Sequence, residues 1–272
     1  MAAILFLVVI SLVAIVAPVI TPETYSGYDF TQGSLHPHIG WRYLLGTDVY
    51  GHSILMYLIL GARGTLMITA GSALVALGVG GITAMFAAAL GSWCRYIFTG
   101  VVALAMTLPL FPLALVLVAY VAGGSPWWIM LILGLATAPG VCEHVSNLLD
   151  RRLADRRDDV ALVSGAPVSG IVLGHVLPDL LRRSVGYVAL LLITLIGLET
   201  TIDFFGLGLR PPDVSWGTAL AGASNYFGAG LWWWYLFPGI LIFLTTLSLV
   251  VVADGLEDVQ GTGFGEATSR TD

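Results

Sequence analysis

Long apolar runs separated by short polar stretches occupy most of this chain. Ala2–Ile20 is almost wholly apolar and, at about 1.5 Å per helical residue, about one bilayer thick. Similar runs follow at Leu66–Leu90, Tyr96–Val121, Trp127–Val145, Ser184–Ile202 and Leu231–Val252. This pattern predicts an all-α integral membrane protein with six spanning helices, all in one domain over residues 1–272. Pro18 and Pro22 end the first run, which has neither a charged start nor a small-residue cleavage site, so it reads as a retained helix rather than a signal peptide. The second run is rich in Gly and Ala, which lets helix backbones approach closely in lipid. Pro109 and Pro112 interrupt the third, marking either a kink facing a pathway or a kink set by packing. Trp127 and Trp128 open the fourth run and Trp232–Trp234 with Tyr235 the last, as interfacial aromatic belts do.

The stretches between the runs differ in kind. Residues 21–62 read as an extramembrane segment, polar and turn-rich to Leu45, leading into an interfacial helix that ends near Arg63; Thr47 or Asp48 is its candidate N-cap. Residues 148–183 hold the most charged run, RRLADRRDD, and then the apolar stretch from Val160 to Pro178. Its apolar runs, Val160–Val163 and Ile171–Leu177, are too short and too flanked by charge to span a membrane, yet the stretch is too apolar to lie bare in water. It reads as two short helices bent at Gly165, with Pro178 at a terminus or starting a new element. Such a loop either packs on its own bundle or meets a partner. Residues 261–272 form a polar tail expected to be flexible.

Composition narrows the chemistry. Of 272 residues, 57% are hydrophobic and only 10% charged, with a net charge of −6. All 11 basic residues are Arg. Without a lysine the chain carries no Walker A P-loop and no Schiff-base chemistry, so ATP hydrolysis would need another chain. The acidic balance speaks against nucleic-acid binding. Cys94 and Cys142 fall near expected cytoplasmic helix ends and read as buried thiols rather than a disulfide or metal pair. His36 and His38 lack enough neighbouring ligands for a metal. Glu143-His144 is not a zincin signature and no Gly-x-Ser-x-Gly elbow occurs, so catalytic residues and metal ligands are expected to be absent. Glu199 and Asp203, at the far end of the fifth run, are candidates for a translocation pathway or gate, with an interfacial position as the alternative.

Arginine sets the orientation. With the N-terminus inside, Arg95, Arg151, Arg152, Arg156, Arg157, Arg182, Arg183 and Arg270 are cytoplasmic, whereas Arg42, Arg63 and Arg210 lie outside. The loop at 148–183 is then cytoplasmic.

Three spaced blocks resemble one family. Asp159, Ala161, Gly165, Leu177 and Pro178 are similar to the EAA loop of ABC importer permeases, with Ala166 inside it. Asp159 stands for Glu, Val160 for the first Ala, and His175 for Ile, as is frequent in the peptide branch. Leu45, Gly46, Thr47, Asp48, Gly51, Gly61, Ala62 and Arg63 match the block LGTDxxGRDxxSRxxxGAR of the dipeptide/oligopeptide/nickel branch, with His52 and Ser53 departing from Arg-Asp. Gly206, Gly208, Pro211, Pro212, Ser215, Trp216 and Gly217 match FLGLGxxPPxxSWGxxL, and Asp254, Gly255, Leu256 and Asp258 match a DGLxD ending. The resemblance implies the second permease of a pair in a bacterial cytoplasmic-membrane importer with the type I fold. Its implied partners are a homologous permease, two ATPase subunits or one fused ATPase that bind ATP and Mg, and an extracytoplasmic binding protein. No cofactor is implied for this chain, and the 148–183 loop becomes the coupling helix that docks on the ATPase. Relatives generally carry a longer basic N-terminus. The implied cargo is a dipeptide or oligopeptide moved by alternating access, with nickel or haem as the alternative within the family. A self-sufficient secondary carrier would usually show an internal repeat, and no clear repeat occurs.

Overall fold

The computed structural model describes residues 1–21, 30–38, 40–89, 92–154 and 177–259. The expected bend at Gly165, with Asp159, Ala161, Ala166 and His175, and the tail at 261–272 lie outside these residues. Among the described residues the regular elements are helices: α1 Ala2–Ile20, α2 Ile54–Ala89, α3 Ser92–Thr107, α4 Leu110–Leu117, α5 Pro126–Ala154, α6 Leu177–Arg183, α7 Val185–Phe204, α8 Trp216–Ser224 and α9 Trp232–Val259. Five of them are long and apolar enough to cross a membrane, and α3 with α4 supplies a sixth crossing if that bent pair is one span.

Helices α2 and α5 form the centre and pack together most extensively. Glycines on both make this possible. A Cβ on Gly80 would stand 2.5 Å from the Ala138 carbonyl oxygen, and one on Gly134 would stand 2.7 Å from that of Ser72. In lipid such close backbone approach, rather than a hydrophobic drive, holds helices together. Ile68, Ile129, Leu133, Val141, Leu195 and Ile202 fill the core among α2, α5 and α7. A second cluster, with Ile10, Ala14, Ile54, Leu58, Trp216 and Trp233, joins α1, α2, α8 and α9.

Several boundaries differ from the sequence expectation. The interfacial helix and the second span are one helix of 36 residues, and Arg63 lies exposed along it instead of closing a separate element. The reason is that Gly61 and Gly64 do not break the helix; they let the backbone of Val214–Ser215 lie against it. The helix begins after Ser53, whose Oγ accepts from the Met56 N–H at 3.4 Å, so Thr47 and Asp48 are not its caps. The fourth and last spans run on to Ala154 and Val259. Cys142, buried and free, therefore lies well inside α5 rather than near the helix end expected to be cytoplasmic. The segment after Phe204, whose glycines and prolines by themselves read as a rigid, turn-rich stretch, includes the helix α8. The third span is bent by 81° between Thr107 and Leu110. Pro109 sits at that break, while Pro112 falls in the first turn of α4, where a missing N–H costs no helical hydrogen bond.

Candidate functional site

The polar chemistry of the described residues gathers at the end of the bundle that the arginine bias predicts to be exoplasmic, where three stretches distant in sequence converge. The first is the turn at 46–53. Thr47 is fully buried; its Oγ1 donates to the Gln32 carbonyl at 2.6 Å and accepts from the Leu35 N–H at 2.8 Å. Asp48 Oδ1 accepts from the N–H groups of Tyr50 and His52, both at 2.8 Å, and Oδ2 meets His52 Nδ1 at 2.9 Å. One carboxylate thus folds the turn, and His52, a departure from the family block, remains inside it. Gly46 at φ +81° lies so close to Trp233 that a Cβ would approach its Nε1 to 2.7 Å. That indole N–H donates to the Thr47 carbonyl at 3.1 Å, fastening the turn to α9. Gly51 at φ +86° completes the turn, a backbone region that glycine enters freely.

The second and third stretches meet at two acids. Glu199 and Asp203 are 0% and 1% exposed, one turn apart on α7. Thr65 of α2 donates to Glu199 Oε1 at 3.3 Å, and Thr200 donates to its Oε2 at 3.3 Å. Asp203 Oδ1 accepts from the Leu209 N–H at 2.9 Å, and its Oδ2 accepts from the Ser215 hydroxyl. Thr65 Oγ1 also accepts from the Trp216 N–H at 3.1 Å. Four elements are therefore tied through two carboxyls, by donors that are hydroxyls and amides rather than cations. Ser215 caps α8 with Thr218 in a reciprocal box, and Trp216, fully buried, donates from Nε1 to the Leu58 carbonyl at 3.0 Å.

The motif glycines make room for this tie. A Cβ on Gly208 would sit 1.4 Å from Asp203 Oδ1, and one on Gly217 would sit 2.7 Å from the Asp203 Cβ. From the other side, a Cβ on Gly64 would overlap the Val214 carbonyl oxygen at 2.0 Å. Gly206 takes φ +72° and turns the chain out of α7. Pro211 and Pro212 are exposed, joined by a cis peptide, at the outer edge of the segment.

The candidate residues thus fall into three groups. Gly46, Thr47, Asp48 and Gly51 form one joint, and Gly208, Ser215 and Trp216 form another with Glu199 and Asp203. Both acids face this seam inside the chain, not an open surface. Pro109 and Pro112 lie apart, beside an open cavity in the flank of the bundle. Of the coupling-loop candidates, Leu177 and Pro178 are described: they open α6, which turns at Ser184 into α7. Sequence reasoning missed Thr65 as the partner of Glu199, Thr218 as the partner of Ser215, and Gly64 as the seat of the Val214 backbone. The Gly-x-x-Gly spacing of Gly61 and Gly64 was the available signal for a second backbone lying there.

Relatives share this chain over most of its length. The oligopeptide transport system permease protein OppC of Escherichia coli is 28% identical over 257 residues, 94% of this chain and 84% of that protein. A Brucella suis protein, provisionally named a peptide transport system permease protein, is 30% identical over 256 residues, 93% of this chain and 84% of its own. A second Brucella suis protein, provisionally named a peptide permease, is 29% identical over 239 residues, covering 86% and 78% respectively. The family described as binding-protein-dependent transport system inner membrane component matches residues 76–263. With its apolar helices and this match, the chain belongs to that family and is a multi-pass component of the bacterial inner membrane.

Proposed function

We propose that this chain is the permease subunit of an ATP-driven importer, and that it passes peptides across the membrane by alternating access. The observation that carries the reading is the near full-length similarity to permeases named for peptide and oligopeptide transport. The geometry fits the role. Helix α7 leads from α6, at the end of the cytoplasmic loop, to the acids of the exoplasmic seam, so one rod of 20 residues links the two faces. A push at the loop would reach the exoplasmic segment through Glu199 and Asp203 rather than be lost in a flexible joint. In this reading the chain itself is non-catalytic and holds no cofactor. A homologous permease completes the translocating pair, ATPase subunits bind ATP and Mg, and a binding protein delivers cargo. Asp159, Gly165 and their neighbours dock on the ATPase.

The test is uptake of a labelled tripeptide into vesicles carrying the full complex with its binding protein. Uptake should require ATP, and Gly165→Leu should leave hydrolysis while abolishing uptake. A binding protein that retains nickel or haem and no peptide would overturn the peptide assignment. Wild-type uptake by Gly165→Leu would overturn the coupling role.

A further inference from the structure

The bend in the third span opens a cavity of about 240 Å³ in the flank of the bundle. Its walls come from α3, α4, α5 and α7, and Met106, Leu108, Leu113 and Leu190 at its rim are each substantially exposed. The mouth therefore opens at the side of the bundle rather than into its packed core. The space exists because Ala105, Ala136 and Gly140 put almost nothing into it. At about 30 Å³ per water it holds roughly eight waters, enough for one large side chain and too little for a whole peptide.

Its polar groups argue for what fills it. Thr137 and Thr194 line the cavity and donate their hydroxyl hydrogens to their own helices, Thr137 to the Leu133 carbonyl at 2.9 Å and Thr194 to the Leu190 carbonyl at 3.0 Å. Their free lone pairs are left as acceptors for an incoming N–H. Pro139, also in the wall, removes the N–H that would meet the Leu135 carbonyl. Tyr187 adds a hydroxyl above Gly140, where a Cβ would approach it to 3.2 Å. The His144 ring stacks on Tyr187 at 4.0 Å between centroids and 10° between planes, holding that phenol against α5. An apolar cup edged by acceptors suits an apolar side chain attached to a backbone that donates hydrogen bonds. A lipid tail has no such donor.

We infer that this cup receives a large apolar side chain of the transported peptide, so that the permease as well as the binding protein discriminates cargo. The inference rests on the peptide reading above. The experiment uses the complete complex in vesicles and measures, for each variant, the ratio of uptake of a phenylalanine-containing tripeptide to that of tri-alanine. Ala136→Phe on α5 and Ala105→Phe on α3 fill the cup from opposite walls, and Ala136→Val fills it less. The ratio should fall about tenfold in the Phe variants and by less in Ala136→Val, as expected for a pocket that loses room for its ligand. Taking a ratio within one variant removes differences in folded protein. An unchanged ratio in every variant that co-purifies with its ATPases would overturn the inference, as would a ratio that follows the lipid acyl-chain length instead of the variant. A wild-type complex that imports neither peptide would remove the peptide reading and this inference with it. Equal loss of both peptides in the variants would remove the inference alone.

Discussion

The seam around the two buried acids and the flank at the bent third span lie in one bundle but are built in opposite ways. In the seam, Glu199, Asp203, Thr65 and Ser215 are buried and hydrogen-bonded across α2, α7 and α8, and glycines cut the clearances to contact. In the flank, Leu108, Pro109 and Leu113 are exposed, the small residues Ala105 and Ala136 leave space, and the Thr137 and Thr194 hydroxyls donate to their own helices. Where polar groups are buried in an apolar setting, each must be satisfied, so the parts they join cannot separate cheaply. Where the surface is apolar and loosely filled, shape can change with little penalty. The first region is suited to transmitting a displacement and the second to receiving a guest.

The contrast can be broken most forcefully at Gly208. Gly208→Val places carbon where Asp203 Oδ1 lies, and should destabilise the chain by more than about 3 kcal/mol. Loss of the folded complex in fluorescence-detected chromatography is the readout, and a stable variant would mean that the tie to Asp203 is dispensable. Asp203→Ala comes next: it strands the buried Ser215 hydroxyl and Leu209 N–H, at about 1–3 kcal/mol for each orphaned group. Asp203→Asn keeps an acceptor and should lose less, so the order of the two midpoints in a thermal melt checks the hydrogen-bond account against simple packing. Gly46→Ala should cost about 1–3 kcal/mol, because φ is +81° and Trp233 occupies the space, with protease sensitivity of the 46–53 turn as its measurement. The smallest effect should reverse sign. A Cβ on Gly78 meets nothing within 4 Å, so Gly78→Ala in the isolated chain should raise the melting point, by about 0.5–1 kcal/mol of helix stability.

How far the sequence revealed each region follows from the range of the forces. Gly206, Gly208, Pro211, Pro212 and the Ser-Trp-Gly triplet were readable as a constrained segment, because glycine and proline act on their own backbone. Ser215 as the cap of α8 was not read, although Thr218 three residues on completes its box. Glu199 and Asp203 were visible as expensive residues in an apolar run, but their partner Thr65 is 134 residues away from Glu199. The fusion of the interfacial helix with the second span was hidden for the same reason. Gly61 and Gly64 look like interruptions until Val214 and Ser215 are seen against them.

By itself, the sequence determined the apolar spans, set an expected orientation through its arginines, and ruled out a lysine-dependent site. Those depend on apolar length, arginine placement and residue identity, each a local quantity. Only the tertiary structure decided that two acids would be spent on a seam, that one long helix would serve as interface and span, and that the break at Pro109 would open into a cavity. Inside a membrane a buried polar group must find its donors wherever the fold brings them. A cavity, likewise, is the space left between helices, and no single helix encodes it.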